Sequence, residues 1–163
     1  MSTDDLFSKP LKYCVDASSL ILLRTDYPVE IFPNLHKYLQ GVFASGSVSV
    51  LNIIFEELEK HEPDILKFIK SVIPKIRQLK YEQYIVETQQ ILHKYYDGKG
   101  GSHNLIADPH MISCAKQEKI IVVTNETLGG ETKMPYICQQ EGIKSINFIQ
   151  FLKETDYKDN CAS

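Results

Sequence analysis

Four short apolar runs, separated by segments with helical periodicity, constrain the fold of this chain most strongly. The runs are KYCV (12–15), SVSV (47–50), KIIVVT (119–124) and SINFI (145–149), and each is rich in β-branched residues. Apolar residues recur at helical spacing in 18–23, 30–44, 51–60, 63–72, 80–96 and 108–118. Short buried strands that alternate with helices predict a parallel sheet covered by helices on both faces.

The predicted fold class is therefore α/β, a three-layer α/β/α sandwich with a central parallel sheet of four or five strands. The fifth strand would lie near 77–81, where the pattern fits a helix equally well. The 163 residues are typical of one domain, which we assign to 1–155, with 156–163 as a C-terminal tail.

Composition limits the setting in which the protein works. No apolar stretch approaches the roughly 20 residues that span a bilayer, and the acidic start MSTDDLFSKP is unlike a signal peptide. We therefore expect a cytoplasmic protein with no membrane partner. The cysteines occur singly and without metal-binding spacing, so we expect small core residues, the last of them in the tail: Cys14, Cys114, Cys138 and Cys161.

Carboxylates follow the predicted strands where each strand ends. Asp16 follows the first strand, Glu56 and Glu57 lie in the helix after the second, Asp108 begins a helix, and Glu126 follows VVT. Ligand sites of open α/β sheets lie at the carboxyl ends of the strands, so these acids are expected at one edge. Gathered carboxylates repel one another unless a cation is present, and oxygen ligands alone favour Mg²⁺ or Mn²⁺. Such ions commonly serve phosphodiester hydrolysis.

Each acid also has an ordinary structural interpretation. Asp16 and Asp108 are good helix N-caps, the latter because Pro109 suits the first helical position. A glutamate pair on a helix and an acid in a loop are common at any surface. The joint placement of these acids at strand ends is what favours the metal site.

The overall charge of −3 and the pI near 5.9 argue against a nucleic-acid partner unless positive charge is local. Local positive charge occurs in LKFIKSVIPKIRQLK, which contains Lys67, Lys70, Lys75, Arg77 and Lys80. Such a run is commonly a solvated helix face, and it is also a candidate surface for phosphates. Both interpretations stay open, with Lys67, Lys70, Lys75 and Arg77 as the candidate nucleic-acid contacts.

Four motifs around the acids resemble those of a known family. In chain order they are VDASSLI, IFEELEKH, IADPHMISCAKQEK and VVTNE, and the resemblance that they carry covers nearly the whole length of the chain. The set resembles the PIN domain of VapC-like ribonuclease toxins. The segments DYPVEIFP, VVTNE and KMPYIC are similar to a branch of VapC-like proteins that was catalogued as a domain of unknown function.

The resemblance implies a PIN-like fold and a metal-dependent endoribonuclease that is the toxin of a toxin–antitoxin pair. RNA would be the substrate and a protein antitoxin the partner, and homodimers are usual in the family. The implied catalytic and metal-binding residues are Asp16, Glu57, Asp108 and Glu126, supported by the hydroxyls of Ser18 and Thr124. Glu126 stands where most PIN domains have Asp, which leaves open whether Asn125 or Glu126 completes the site.

Other folds with an early Asp fit less well. A haloacid-dehalogenase-like phosphatase needs Asp at position 18, and an integrin-type metal site needs Ser at position 20, but these positions hold Ser18 and Leu20. The SVSVLN segment lacks the aspartate of a receiver domain. A catalytically silent PIN-like module that binds RNA or protein is the remaining alternative, because a fold does not guarantee an activity.

Overall fold

The computed structural model describes residues 7–97 and 107–159, which contain a five-stranded, fully parallel sheet. The strand order across the sheet is β3-β2-β1-β4-β5. The strands are β1 (Tyr13–Val15), β2 (Val48–Leu51), β3 (Arg77–Leu79), β4 (Ile121–Val123) and β5 (Ser145–Ile146). The parallel α/β prediction is confirmed, and so is the fifth strand near 77–81, which forms one edge of the sheet.

Eight helices lie in the described residues. They are α1 (Ala17–Thr25), α2 (Pro33–Ala44), α3 (Asn52–His61), α4 (Pro63–Val72), α5 (Ile85–Tyr95), α6 (Ala107–Glu118), α7 (Met134–Gln140) and α8 (Phe148–Glu154). Helix α4 contacts α1 and α3, while α6 contacts α5 and α7, so two helical groups flank the sheet. The predicted helix at 80–96 is divided into a 3₁₀ turn at Tyr81–Tyr84 and helix α5.

Local sequence explains where several helices begin. Pro33 and Pro63 occupy the first turns of α2 and α4, where a fixed φ is favourable and no N–H is needed. Asn147 caps α8 in a capping box with Gln150, each side chain accepting a hydrogen bond from the other residue's backbone N–H.

This capping box ends the last strand earlier than predicted. The apolar run SINFI suggested a strand over 145–149, but β5 stops at Ile146 because Asn147 begins α8. The helix buries Phe148 and Phe151 against the core, so the apolar residues after Asn147 belong to a helix face. Helices α7 and α8 were not predicted.

The core is continuous across the sheet. Every residue of β1 and β2 is buried, because helices cover both faces of the parallel sheet. Cys14, Cys114 and Cys138 are buried in it, as predicted, whereas Cys161 lies outside the described residues. Residues 160–163 of the predicted tail also lie outside them. None of the helices in the described ranges is long and apolar enough to cross a membrane.

Candidate metal centre

Asp16 lies buried in the turn between β1 and α1, with 6% of its surface exposed. Its Oδ1 accepts a hydrogen bond from the Ala17 backbone N–H at 2.8 Å, so it caps α1. Its Oδ2 accepts from the hydroxyls of Ser18 at 2.8 Å and Thr124 at 3.1 Å. Burial raises the pKa of Asp16, and these hydrogen bonds oppose the rise without cancelling it.

Ser18 and Thr124 connect Asp16 to the loop that follows β4. The Ser18 hydroxyl accepts a hydrogen bond from the Asn125 backbone N–H at 3.0 Å, and the Thr124 hydroxyl accepts from the Glu126 backbone N–H at 3.2 Å. Each hydroxyl therefore donates to the carboxylate and accepts from the loop. The two residues fix the loop relative to Asp16, while the Asn125 residue is exposed.

Asp108 and Glu57 come from helices on different parts of the chain. Asp108 is buried in the first turn of α6, inside the described helix, whereas the sequence predicted it as the preceding cap. Glu57 on α3 is half-buried and hydrogen-bonded to the Ala107 backbone, next to Asp108. Burial raises the pKa of Glu57, and the charge of Asp16 adds to the rise. Glu56, one position earlier, is exposed.

Glu126 carries a buried oxygen that no described residue satisfies. Its Oε2 is buried and makes no hydrogen bond with any part of the chain that the structure describes. Burial raises the pKa of Glu126, as does the charge of Asp16, while Lys133 and a hydrogen bond from the Met134 backbone oppose the rise. A buried carboxylate oxygen without a donor is energetically costly and is commonly explained by an ion or water.

These four carboxylates, which we call the acid cluster (Asp16, Glu57, Asp108 and Glu126), share one electrostatic environment. The pKa of Asp108 is raised to about 8, first by burial and then by the charges of the other three acids. The positive charge of Lys133 opposes this rise. At neutral pH the cluster therefore holds a proton that a bound cation would displace.

Among the residues described, no three His, Cys, Asp or Glu side chains already stand close enough together to hold a metal ion. The cluster is a shared electrostatic site rather than a closed ligand shell. Its donors are nevertheless suited to a hard divalent ion. They are carboxylate oxygens, one is unsatisfied, and burial raises their pKa values, with neighbouring acids adding to the rise at Glu57, Asp108 and Glu126. Mg²⁺ commonly keeps several waters, so a few protein oxygens suffice.

Two neighbours of the cluster were not identified from the sequence. Lys133 precedes α7 and lowers the pKa values of Asp108 and Glu126. Tyr96 follows α5, and its own pKa is raised by burial and by these two acids. Lys133 begins the KMPYIC segment, which the sequence singled out without assigning a role to its lysine, whereas Tyr96 belongs to a segment without a distinctive pattern.

The predicted basic residues lie on two different parts of the fold. Arg77 is the first residue of β3, and its guanidinium donates to the Gly46 carbonyl at 3.2 Å, below the amino end of β2. Arg77 and Lys75 both lie over the ring of Phe7. Lys67 and Lys70 are exposed on α4. The acid cluster, in contrast, lies at the carboxyl ends of the strands.

Comparison with known proteins supports the fold and the family. No curated protein matches the chain. Among solved structures, the fold is similar to a chain in the "Crystal structure of VapBC2 from Rickettsia felis bound to a DNA fragment from their promoter". The sequence identity is 14% and the TM-score 0.53, with 85% of this chain and 99% of that chain covered.

This likeness shows the fold alone, and it confirms the predicted PIN-like α/β/α sandwich. Residues 13–158 match the family model described as "Domain of unknown function (DUF4411)", while the branch suggested by the motif details stays a prediction. The matched residues include all five strands of the sheet and every member of the acid cluster. The chain therefore belongs to the DUF4411 family.

Proposed function

We propose that this protein is a Mg²⁺- or Mn²⁺-dependent endoribonuclease that hydrolyses RNA phosphodiester bonds as the toxin of a toxin–antitoxin pair. The observation that carries the proposal is the acid cluster, in which burial and the charges of the other three carboxylates raise the pKa of Asp108 to about 8. A chain gains nothing structurally from such repulsion. A site that binds a divalent cation accounts for it.

The residues of the cluster have distinct roles in this proposal. Asp16 is held by hydrogen bonds to both oxygens and would be the most rigid ligand. Glu57 and Asp108 would contribute further oxygens, and Glu126 would use its unsatisfied Oε2 directly or through water. A bound ion would supply an activated water and neutralise charge on the phosphodiester. Ser18 and Thr124 would keep Asp16 oriented.

Partners follow from the same proposal. RNA would be the substrate and a protein antitoxin would inhibit the enzyme, in keeping with the similarity to a chain of a VapBC2 complex. We further propose a cytoplasmic protein that forms a homodimer. The antitoxin proposal has a simple test in cells, because expression of the wild-type chain should arrest growth and Asp16→Asn should not.

A cleavage assay with purified protein tests the catalytic proposal. Labelled RNA is incubated with the wild-type protein in EDTA, Mg²⁺ or Mn²⁺, and compared with Asp16→Asn and with Glu56→Gln, which alters the exposed acid beside Glu57. We expect metal-dependent cleavage by the wild type and Glu56→Gln and none by Asp16→Asn. Equal cleavage by wild type and Asp16→Asn would contradict the proposal. No cleavage in either metal would favour a silent binding module.

A further inference from the structure

A groove of about 890 Å³ lies at the edge of the sheet opposite to the acid cluster. Lys12 and Ser47, which directly precede β1 and β2, form part of its floor, so the groove lies below the amino ends of these strands. One face of α2 forms one side. The segment that follows α8 forms the other. We call this feature the basic groove because of its charge.

Four lysines line the basic groove: Lys9, Lys12, Lys37 and Lys158. All four are exposed, in a chain whose overall charge is −3. Glu154 is the one carboxylate in the lining, and it accepts hydrogen bonds from the Tyr13 hydroxyl and from Lys144. Lys158 is 3.8 Å from Asp156, while no ion pair joins Lys9, Lys12 or Lys37 to a carboxylate in 7–97 or 107–159.

Gly41 gives a second, independent observation. It lies inside α2 on the face that lines the groove, and a Cβ added there would meet no atom within 4 Å. Glycine inside a helix costs roughly 1 kcal/mol relative to alanine, and neither a positive φ nor close packing requires it here. The missing side chain leaves the α2 backbone open to a ligand in the groove.

We infer that the basic groove binds the phosphodiester backbone of single-stranded RNA. Ammonium groups along a concave surface attract phosphates, and the rings of Tyr38 and Tyr157, which are 4.9 Å apart and half-buried, lie beside them. A docked protein would need apolar anchors, but Val42 is the one aliphatic side chain of the 14 lining residues. The groove would therefore hold RNA away from the acid cluster.

Binding is measured in EDTA, so that the result does not depend on the proposed cleavage. Fluorescence anisotropy with labelled single-stranded RNA compares two triple lysine-to-glutamine variants of equal charge: the groove variant at Lys9, Lys12 and Lys37, and the control at the exposed Lys60, Lys119 and Lys153. We expect about a tenfold or greater loss of affinity for the groove variant, with a shallower salt dependence, and less than about a twofold loss for the control. Equal losses in the two variants would overturn the proposal.

Gly41 provides a test that leaves every lysine in place. Gly41→Glu should weaken RNA binding about as much as the triple groove variant, because it introduces bulk and a negative charge into the open space. Gly41→Ala should keep the fold and weaken binding less than Gly41→Glu, because a methyl group fills only a small part of the open space and carries no charge. Unchanged binding by Gly41→Glu would overturn the proposed position of the RNA.

Two further ligands identify the partner class. Duplex DNA of the same sequence should bind more weakly than single-stranded RNA, and a polyglutamate peptide should not displace the RNA at equal charge. Tighter binding of the duplex or displacement by the peptide would overturn the assignment to single-stranded RNA. RNA binding that depends on the groove in a protein without cleavage activity would contradict only the proposed catalytic function.

Discussion

The Glu141 carboxylate and the acid cluster are both shielded from solvent, but they have opposite electrostatic surroundings. Glu141 lies at the end of α7, where it accepts hydrogen bonds from Tyr95 at 2.7 Å and Lys94 at 3.0 Å and forms an ion pair with Lys116 at 3.2 Å. Burial raises the pKa of Glu141, but these partners more than offset that effect and lower it to about 2. We call these four residues the Glu141 network.

The acid cluster lacks such compensation. Burial and the charges of three other carboxylates raise the pKa of Asp108 to about 8, and Lys133 only partly opposes them. The Glu141 network is neutralised by the chain's own lysines and serves the contact between helices. The acid cluster relies on a proton or on a cation from solution. This difference separates a structural carboxylate from one that we propose to be functional.

The largest difference is expected in the rate of RNA cleavage, when one acid of the acid cluster and Glu141 of the Glu141 network are each exchanged for the amide. Asp108→Asn is expected to reduce Mg²⁺-dependent RNA cleavage by about a hundredfold or more, because a metal ligand is lost. Glu141→Gln should cleave within about threefold of the wild type, because no role in the site depends on its charge. Initial rates at saturating Mg²⁺ measure both. Comparable cleavage rates for the two variants would contradict the proposal that the acid cluster is functional while Glu141 is structural.

The free energy of unfolding should depend on pH in opposite ways through Asp108 and through Glu141. The change due to Asp108 should amount to a few kcal/mol between about pH 4 and 8. The folded pKa of Asp108, about 8, lies above its ordinary value of 3.8, so the folded protein binds more protons between these values. In EDTA, the free energy of unfolding should therefore fall as pH rises from about 4 to 8. Asp108 contributes at most about 1.4 kcal/mol per pH unit to this slope.

Urea unfolding at pH 5, 6.5 and 8 in EDTA measures this slope. Asp108→Asn should flatten it and be more stable than the wild type at pH 8, and saturating Mg²⁺ should flatten it in the wild type. If the mutant and the wild type have the same slope, the raised pKa of Asp108 is wrong. Strong destabilisation by Asp16→Asn in EDTA would instead favour helix capping as that residue's main role.

A smaller effect is expected from the Glu141 network. Glu141→Gln should lower the free energy of unfolding at pH 7 by about 1–2 kcal/mol, because three donors lose a charged acceptor. The folded pKa of Glu141 lies below 4.5, so its contribution is present above that pH and is lost as pH falls toward 2. Urea unfolding should give the same loss of unfolding free energy for Glu141→Gln with and without Mg²⁺. The control is Glu59→Gln, which removes an exposed acid of α3.

The sequence predicted the local features of the fold better than the contacts between distant segments. Short β-branched runs located four strands, and the end of the first run located Asp16 at the carboxyl edge. The prediction that SINFI forms a single strand was wrong. Asn147 caps α8, so the apolar residues that follow it lie on a helix face. The Glu141 network joins residues up to 47 positions apart, so no periodic pattern predicts it. Coordination of an ion by the acid cluster stays a prediction.

The smallest effects concern which side chain completes the acid cluster after β4. Thr124 orients Asp16, while the Glu126 carboxylate has an unsatisfied oxygen and the neighbouring Asn125 is exposed. Glu126 has one more methylene than Asp, so it should hold an ion less rigidly, mainly through water. Mg²⁺ titration by calorimetry should show about a tenfold or greater loss of affinity for Asp16→Asn, a few-fold loss for Glu126→Gln and almost none for Asn125→Ala. A larger loss for Asn125→Ala than for Glu126→Gln would show that the amide, rather than the acid, completes the site.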